Sequence, residues 1–410
     1  MALGDIYQKA SLVQIPSGYK AADAELYSVV PNTTAGDFTV SVDADATRVN
    51  KDGLVESVAA NQARLDYNPS NPQDPHLLLE PQRTNDTTHS EDFTQTSYWN
   101  NVIDVVATTN QTTAPDGSNT GNKIQANSGT NFKILRKGAF TIPSGITMSM
   151  FVKRGNHDYI LFKAQGDYNF NLNTLTWGGS YSNVGYELYP NDWVRLYATT
   201  SSSVLSYFGI YLTDSNFNQS WNATGNEFVY VWGAQYETGS YPTSLIPTSG
   251  SAVTRTVDNV HLLNQTFITN YPFTVYANAK IDAVGNAIFS LNNTSNSSYY
   301  LVFNLGSGSQ VAVFRRNPSA SNSDFWNFSY TVGDTIKVAV AFISATAYKL
   351  YINGTEIADR TSGTSIPFNH DDISLGQFRI TGDTGTRNSV NEFMLFNEAL
   401  TDAELQTLTT

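Results

Sequence analysis

The chain contains no cysteine, and only 14% of its 410 residues are charged. The missing thiols exclude disulfides, thiolate catalysis and cysteine-ligated zinc. A secreted β-protein of this size often carries disulfides, so their absence indicates assembly in a reducing cytoplasm. Charged helix-forming residues are too scarce to favour a helical bundle.

Long hydrophobic runs are also missing. Residues 1–20 lack the apolar core of a signal peptide, and no stretch approaches the length of a transmembrane helix. Acidic residues outnumber Lys and Arg, which gives a formal net charge of −13. Because such a surface repels phosphate backbones, we expect no nucleic-acid partner, and we expect no membrane insertion.

The polar residues that are present favour strands joined by turns. Asn, Ser, Thr, Gly and Tyr supply most of the polarity, and runs of alternating apolar residues recur along the chain. Pairs such as Asp52-Gly53 and Asn353-Gly354 lie between such runs and predict tight hairpin turns. The spacing of the runs is typical of antiparallel β-sandwiches.

One helix is predicted, at the C-terminus. Thr401 and Glu404 have the spacing of a capping box, in which each side chain satisfies a free backbone N–H group. Leu400, Leu405 and Leu408 would form the apolar side of this helix.

Changes in composition divide the chain into three parts. A Pro/Ser/Gly-rich break at 240–251 precedes the last part. We predict an all-β fold, in which two consecutive antiparallel β-sandwiches of jelly-roll type follow a small β-rich N-terminal region, and a short C-terminal helix ends the chain. The predicted boundaries are 1–80 for the N-terminal region, 81–255 for the first sandwich and 256–410 for the second.

Three sets of residues resemble known families. Residues 46–56 (ATRVNKDGLVE), 63–67 (ARLDY) and 77–85 (LLLEPQRTN) resemble the opening of many bacteriophage tail-fibre and head-fibre proteins. Residues 231–244 (VWGAQYETGSYPTS) resemble the closing stretch of the carbohydrate-binding-module-like jelly roll in those proteins. The last part resembles a laminin-G or concanavalin-like lectin domain, through KLYINGTE at 349–356 and FMLFNEALTDAEL at 393–405.

The resemblance implies a function for each part. The chain would be a subunit of a phage tail fibre, head fibre or spike, located in the virion. Its N-terminal region would dock to other virion proteins, and its sandwiches would bind host cell-surface polysaccharide for adsorption. A homotrimer is implied in the same way. Two alternatives stay open: a purely structural decoration protein of the capsid or tail, and a glycan depolymerase.

The residues do not favour catalysis. Glycoside hydrolysis requires two carboxylates that face each other across the scissile bond. The Glu-x-Asp-x-x-Glu spacing of lectin-fold hydrolases is absent, and Glu227 and Glu237 lie at opposite ends of a strand-like run. The five histidines are scattered singly, without the spacing of a metal-binding helix. We therefore predict that the chain is not an enzyme.

Aromatic residues in turn-rich sequence are candidates for sugar contacts. Aromatic faces match the apolar C–H faces of sugar rings, and polar side chains match their hydroxyl groups. Core or rim packing is the alternative for each candidate, and Trp193 and Trp232 are assigned to the core because they lie in strand-like runs. The predicted carbohydrate-binding residues are Trp177, Tyr181, Trp221, Tyr299, Arg315 and Trp326.

No cofactor is predicted, and a structural calcium ion is the open alternative. Calcium prefers oxygen ligands, and short acidic clusters supply them. The sequence around 90–92 and 115–117 resembles a place where jelly-roll modules hold a structural calcium. The candidate ligands are Asp92, Asp116, Asp371 and Asp372.

Overall fold

The structure, a computed structural model, describes residues 2–19, 25–69, 71–285, 287–306, 309–377 and 387–410, with the backbone alone at 16–19 and 71–74. It confirms the predicted all-β fold with antiparallel sandwiches and a short C-terminal helix. Among these residues, no helix is both long enough and apolar enough to cross a membrane.

The elements follow in chain order. The first part contains α1 (Leu3–Tyr7), β1 (Leu12–Tyr19), β2 (Glu25–Val30), a 3-10 turn (Thr34–Gly36), β3 (Phe38–Ser41), β4 (Ala46–Val49), β5 (Val55–Val58), β6 (Leu65–Asn68) and β7 (Asn71–Leu79). The middle part contains β8 (Arg83–Asn85), β9 (Asn101–Ile103), β10 (Val105–Thr112), β11 (Gly121–Ala126), β12 (Gly129–Ile142), β13 (Ile146–Arg154), β14 (Tyr159–Lys163), β15 (Asp167–Asn171), β16 (Thr176–Trp177), β17 (Val184–Tyr189), β18 (Trp193–Thr199), β19 (Val204–Leu212), β20 (Ser220–Ala223), β21 (Phe228–Thr238) and β22 (Val253–Arg255). The last part contains β23 (Asn259–Leu263), β24 (Phe273–Lys280), β25 (Ala287–Asn292), β26 (Tyr300–Leu305), β27 (Gln310–Asn317), β28 (Ala320–Asn327), β29 (Thr335–Phe342), β30 (Tyr348–Ile352), β31 (Thr355–Arg360), β32 (Asp372–Leu375), β33 (Asn388–Phe396) and α2 (Asp402–Thr409).

The middle part forms a sandwich of two antiparallel sheets, which we call the central sandwich. One sheet has six strands in the order β10-β11-β21-β13-β18-β17. The other has seven strands, with β16-β15-β14-β19-β12-β20 in order and β9 paired to β12. Alternate residues point into the space between the sheets, so that Met148, Met150, Phe162 and Phe208 are all buried in one core.

The last part forms a second sandwich, the C-terminal sandwich, around its own core. Phe289, Phe303, Val340 and Phe393 belong to this core and are fully buried. The predicted turn at Asn353-Gly354 joins β30 to β31, and both of its residues have the positive φ that a tight hairpin turn requires.

Strands of the first part extend the same sheet as the C-terminal sandwich. β1 pairs with β33, β3 pairs with β23, and β7 pairs with β33. Leu12, Phe38 and Leu77 are therefore buried in the core of the C-terminal sandwich. Alternation in the sequence predicts such strands but contains no signal for a partner so far along the chain. The boundaries at 80 and 255 stay predictions.

The C-terminal helix begins as predicted. The backbone N–H of Thr401 donates to the Glu404 carboxylate at 2.8 Å, and Leu405 and Leu408 are buried. The ammonium group of Lys9 lies 2.6 Å from the same carboxylate, which fixes the start of the chain to the helix.

A hairpin of the first part covers the outer face of the six-stranded sheet. β4 and β5 pair around the predicted Asp52-Gly53 turn, and Val55 packs with Phe151, Trp193 and Trp232 of the sheet. Trp193 and Trp232 are buried, as the sequence predicts, but their rings lie in this second layer rather than in the core between the sheets.

Candidate functional site

The outer face of the seven-stranded sheet carries an aromatic platform on β19. Phe208, Ile210 and Leu212 point into the core of the central sandwich. Because successive side chains of a strand point to opposite faces, Tyr207, Gly209 and Tyr211 lie together on the outer face.

Two rows of side chains cross this face from strand to strand. In the first row, Tyr211 lies between Ile134 of β12 and Leu161 of β14, and these three residues form a small buried apolar cluster. In the second row, Gly209 lies between Arg136 of β12 and Lys163 of β14. The second row therefore has a cation on each side of a position without a side chain.

Gly209 leaves the space through which Arg136 reaches the tyrosines. A Cβ atom at position 209 would lie only 2.5 Å from the Cα atom of Arg136. The guanidinium carbon of Arg136 lies 3.5 Å from the ring centroid of Tyr207 and 5.2 Å from that of Tyr211. The Arg136 guanidinium also donates a hydrogen bond to the hydroxyl of Tyr211. The result is a half-buried guanidinium stacked on the half-buried ring of Tyr207, beside the buried ring of Tyr211, which we call the Tyr207 platform.

Replacing Gly209 by alanine is expected to destabilise the protein and distort the Tyr207 platform. The new methyl group would meet the backbone of β12, which cannot move without breaking the sheet, so we expect a loss of about 1–3 kcal/mol in the free energy of unfolding. Urea denaturation measures this loss. Gly4→Ala is the matched control, since no atom lies within 4 Å of a Cβ built there. Equal stability of the Gly209→Ala variant and the wild type would contradict this packing.

The platform is locally cationic although the chain is acidic. Lys163 lies 5.9 Å from the Tyr207 ring centroid and pairs with Asp167 of β15, which also accepts a hydrogen bond from Gln219 at 3.1 Å. Burial lowers the pKa of Arg136 from its ordinary value. That value is so high that the guanidinium stays charged at neutral pH. The platform thus presents both apolar ring faces and charged donors.

Three buried polar atoms on this face lack hydrogen-bond partners within the described part of the chain. They are Nε of Arg136, Oδ1 of Asn101 and Oδ1 of Asn169. Asn101 is the cross-strand neighbour of Arg136, and Asn169 is that of Leu161, so all three residues belong to the two rows. Buried polar atoms are almost always paired with protein, water or ligand. One donor and two acceptors beside the platform are therefore unpaired within the described part of the chain.

Tyr207 and Tyr211 are not among the sugar contacts predicted from the sequence. They lie in a strand-like run, whereas the predicted aromatic contacts come from turn-rich sequence. The period of two in YFGIY at 207–211 is the signal that separates the outer tyrosines from the core residues. It indicates two faces without showing which of them another layer covers.

The candidates Trp177, Tyr181 and Trp221 lie at the edge of the central core. Trp177 packs edge-on against Phe170 with ring centroids 4.8 Å apart, and it lies 6.1 Å from Tyr181. Trp221 stacks on His157 at 5.2 Å and donates from Nε1 to the carbonyl of Leu212. All three rings are half-buried, so rim packing accounts for much of their surface. Their role in sugar binding stays a prediction.

The candidates in the C-terminal sandwich lie in two places. Arg315 and Trp326 meet around Tyr348: the guanidinium lies 5.1 Å from its ring centroid, and the Trp326 indole donates to its hydroxyl at 3.0 Å. Arg315 is only 1% exposed, because it follows Val311 and Val313 on the inner face of β27. The role of Arg315 and Trp326 in sugar binding stays a prediction. Tyr299 is half-buried in a separate turn.

The four candidate calcium ligands do not converge. Asp92 accepts hydrogen bonds from Thr94 and Gln95, and Asp116 accepts them from Ser118. Asp371 binds Thr294, whereas the carboxylate of Asp372 is buried beside Asn292 and Ser374, since neighbouring residues of an extended chain point to opposite sides. In the described ranges, no three His, Cys, Asp or Glu side chains are grouped as a metal site.

Glu91, the neighbour of Asp92, has the more unusual environment. Burial, followed by the negative charge of Asp116, raises the pKa of Glu91 to about 7. Because the pKa of Glu91 is higher in the folded chain than in the unfolded chain, protonation of Glu91 favours the folded state. Its contribution to stability is complete at pH values below the ordinary pKa. This stabilisation is lost as the pH rises through about 7.

Glu91→Gln is therefore expected to stabilise the protein at pH 8 but not at pH 4. We expect the gain at pH 8 to be about 1–3 kcal/mol, and urea denaturation at both pH values measures it. Glu398→Gln is the control, since its side chain is 48% exposed and should show no such difference. A gain that is equal at both pH values would rule out the ionisation of Glu91 as its cause.

The calcium alternative makes a further prediction about the same pair. A cation bound between Glu91 and Asp116 would offset the repulsion between their charges. Adding calcium chloride at pH 8 should then raise the unfolding midpoint of the wild type but not that of Glu91→Gln. An unchanged wild-type midpoint would contradict a structural calcium ion at this pair.

Glu227 and Glu237 are engaged in local structure. The carboxylate of Glu227 accepts hydrogen bonds from the amides of Thr224, Gly225 and Asn226, which closes the turn before β21. Glu237 is buried at the other end of β21 and bonds to Thr243. The two carboxylates therefore organise separate turns.

Comparison with solved structures finds similarities at low identity. The chain is similar to the CBM40 domain of the Ruminococcus gnavus IT-sialidase bound to α2,3-sialyllactose, with 18% identity over 35% of this chain and 84% of that chain and a TM-score of 0.31. It is similar to domain 4 of a GH43 extracellular arabinanase from Geobacillus stearothermophilus in complex with arabinotriose, with 15% identity over 38% of this chain and 73% of that chain and a TM-score of 0.33. A heptameric SAP-like pentraxin from Limulus polyphemus has 16% identity over 34% of this chain and 70% of that chain, with a TM-score of 0.29.

Comparison with family models gives one match, and no curated protein matches the chain. The match covers residues 254–406, which coincide with the C-terminal sandwich apart from its added N-terminal strands. The sequence of this part also resembles a laminin-G or concanavalin-like domain, as stated above for residues 349–356 and 393–405. The C-terminal part of the chain is similar in sequence to the Concanavalin A-like lectin/glucanases superfamily.

Proposed function

We propose that this chain binds glycans, and that the Tyr207 platform is its main contact surface. The observation that carries the proposal is the outer sheet face on which stacked aromatic and guanidinium groups lie beside three polar atoms without partners within the described part of the chain. Aromatic faces bind the C–H faces of sugar rings, and the polar atoms match hydroxyl groups. The similarity of residues 254–406 to a lectin and glucanase superfamily supports the same class of ligand.

In the finer form of the proposal, the chain is a subunit of a bacteriophage fibre or spike that adsorbs to host surface polysaccharide. This form rests on the resemblance of residues 46–56, 63–67, 77–85 and 231–244 to phage fibre proteins. It includes a location in the virion, attachment to other virion proteins through residues 1–80, and a homotrimer. A decoration protein without a ligand and a glycan depolymerase are the rival functions.

A glycan array probed with the full-length chain tests the proposal. Binding to a defined set of saccharides is expected, together with no release of reducing sugar when the chain is incubated with the bound polysaccharide. A chain that binds no saccharide would support the decoration protein. Release of reducing sugar would support the depolymerase.

The homotrimer has its own test. Light scattering at several concentrations should give a mass three times that of one chain. A mass equal to one chain at every concentration would contradict the fibre or spike assignment, while leaving the sugar-binding proposal intact.

A further inference from the structure

A second candidate site lies where the three parts of the chain meet. A cavity of ≈ 470 Å³ opens between the central sandwich, the hairpin strands of the first part and the C-terminal sandwich. We call it the junction cleft. Its volume lies within the range of about 300–1,000 Å³ that small-ligand pockets have in proteins, and such pockets are frequent between domains.

Each part contributes one wall with an acidic and a basic side chain. Glu187 of β17 and Arg195 of β18 are cross-strand neighbours on the outer face of the six-stranded sheet. Asp66 of β6 and His76 of β7 are cross-strand neighbours in the first part. Lys280 is the last residue of β24, and Lys280 and the following Asp282 lie on the third wall.

These walls are held rigidly. At one end, the hairpin residue Val55 packs against Phe151 and Trp193 of the sheet. At the other end, Glu80 receives hydrogen bonds from Arg64 at 2.8 Å and from the amide of Ser244 at 2.9 Å. The cleft is therefore preformed, which lowers the entropy cost of binding.

On each wall, the acidic and basic groups are farther apart than in a direct hydrogen bond between charges. The nitrogen–oxygen distance is 3.7 Å for Arg195 and Glu187, 3.4 Å for His76 and Asp66, and 3.5 Å for Lys280 and Asp282. Direct bonds between charged groups are about 2.7–2.9 Å long. The polar groups of each wall therefore retain hydrogen-bonding capacity that a ligand between them can use.

Arg195 shows this unused hydrogen-bonding capacity most clearly. It is 2% exposed, its Nη2 donates to Ser149 at 3.0 Å, and its Nε has no hydrogen-bond partner within the described part of the chain. A buried guanidinium with a free donor beside a cavity is a costly arrangement unless an acceptor occupies the cavity.

We propose that the junction cleft binds one or two rings of a neutral saccharide. Its lining carries four acidic side chains (Asp66, Glu80, Glu187 and Asp282) and four Lys or Arg side chains (Arg48, Arg195, Lys280 and Arg387), so it favours neither an anion nor a cation. A sugar hydroxyl both donates and accepts, and it therefore satisfies a carboxylate and a guanidinium at the same time. This inference goes beyond the proposed function, because the cleft is a separate site that does not include the Tyr207 platform.

The test uses the full-length chain and an array of neutral saccharides, with the platform disabled. Tyr207→Ala is expected to retain binding to a subset of the neutral saccharides. Adding Glu187→Gln should weaken this residual binding at least tenfold, and adding Lys280→Gln on another wall should do the same. The control is Glu398→Gln, an ion-paired and 48% exposed carboxylate elsewhere, which should leave the residual binding unchanged. The unfolding temperature of each variant shows that it is folded.

The outcomes separate this inference from the proposed function. If the wild type binds saccharides and Tyr207→Ala binds none, the platform alone is the site and the junction cleft holds only water. Residual binding that is unchanged by both Glu187→Gln and Lys280→Gln would also overturn the inference. If the wild type binds no saccharide, both proposals are wrong.

Discussion

Replacing Glu80 by glutamine is expected to lower the free energy of unfolding by about 3–5 kcal/mol. Glu80 is 1% exposed, and its carboxylate lies 2.8 Å from Arg64 and 3.3 Å from Arg255. The amide and hydroxyl of Ser244 also donate to it, at 2.9 and 2.7 Å. Glutamine keeps the shape but leaves two buried arginines without one of their negative partners.

The loss is large because this network connects all three parts of the chain. Arg64 belongs to the first part, and it also donates to Asp258, which follows the central sandwich. Arg255 donates to the carbonyl of Pro81 at 2.7 Å, which joins the two ends of the central sandwich. Removing one charge therefore weakens several contacts between these parts together.

The effect of Glu80→Gln should depend on pH. Burial acts to raise the pKa of Glu80, but the charges of Arg255 and Arg64 outweigh it and hold the pKa well below the ordinary range. Because the pKa is lower in the folded chain, ionised Glu80 stabilises the fold at pH values above its ordinary pKa. This contribution to stability is lost as the pH falls towards the folded-state pKa. The difference between variant and wild type should thus be full at pH 7 and smaller in strong acid.

Urea denaturation at pH 7 and pH 3 measures both effects. Asp158→Asn is the matched control, since its partner Arg154 is 45% exposed and exposed pairs contribute less than about 1 kcal/mol. A Glu80→Gln variant with the stability of that control would show that the buried network does not hold the parts together.

The residues of this network show what the sequence reveals and what it leaves open. Arg64, Glu80 and Ser244 all belong to stretches that resemble phage fibre proteins, so their pattern was visible. Their meeting point was not, because Arg64 and Asp258 are 194 residues apart and no local periodicity connects them. Electrostatic partners depend on the tertiary fold.

The same limit applies to the sheets and to the candidate site. Alternation predicted most strands, and Asn353-Gly354 predicted a hairpin turn. The pairing of β1 with β33 joins residues from opposite ends of the chain and had no local signal. Tyr207 was missed for a related reason, since alternation separates the two faces of β19 but only the tertiary fold shows which face belongs to the core.

Tyr207→Ala is expected to reduce glycan affinity at least about tenfold, which corresponds to about 1.4 kcal/mol. The change removes the ring on which the sugar stacks and also the surface that orders the Arg136 guanidinium. Isothermal titration with a saccharide bound by the wild type measures the loss. Phe325→Ala is the control, because Phe325 is a largely exposed aromatic residue on the C-terminal sandwich. An affinity loss that is equal for both variants would argue against a specific platform.

Arg136 provides a second variant of the same surface. Arg136→Lys keeps the charge but loses the planar group that stacks on Tyr207 and bonds to Tyr211. We expect an intermediate loss of affinity with little change in stability. A lysine variant with wild-type affinity would show that charge, and not stacking, recognises the ligand.

The most direct test of the central claim is an experimental structure of the full-length chain with a bound saccharide identified on the array. The proposed function predicts a sugar ring in contact with Tyr207, with its hydroxyls bonded to Arg136 Nε and to Asn101 or Asn169. A saccharide found only at the edge residues Trp177 and Trp221, or only on the C-terminal sandwich, would contradict the assignment of the Tyr207 platform as the main glycan-binding surface.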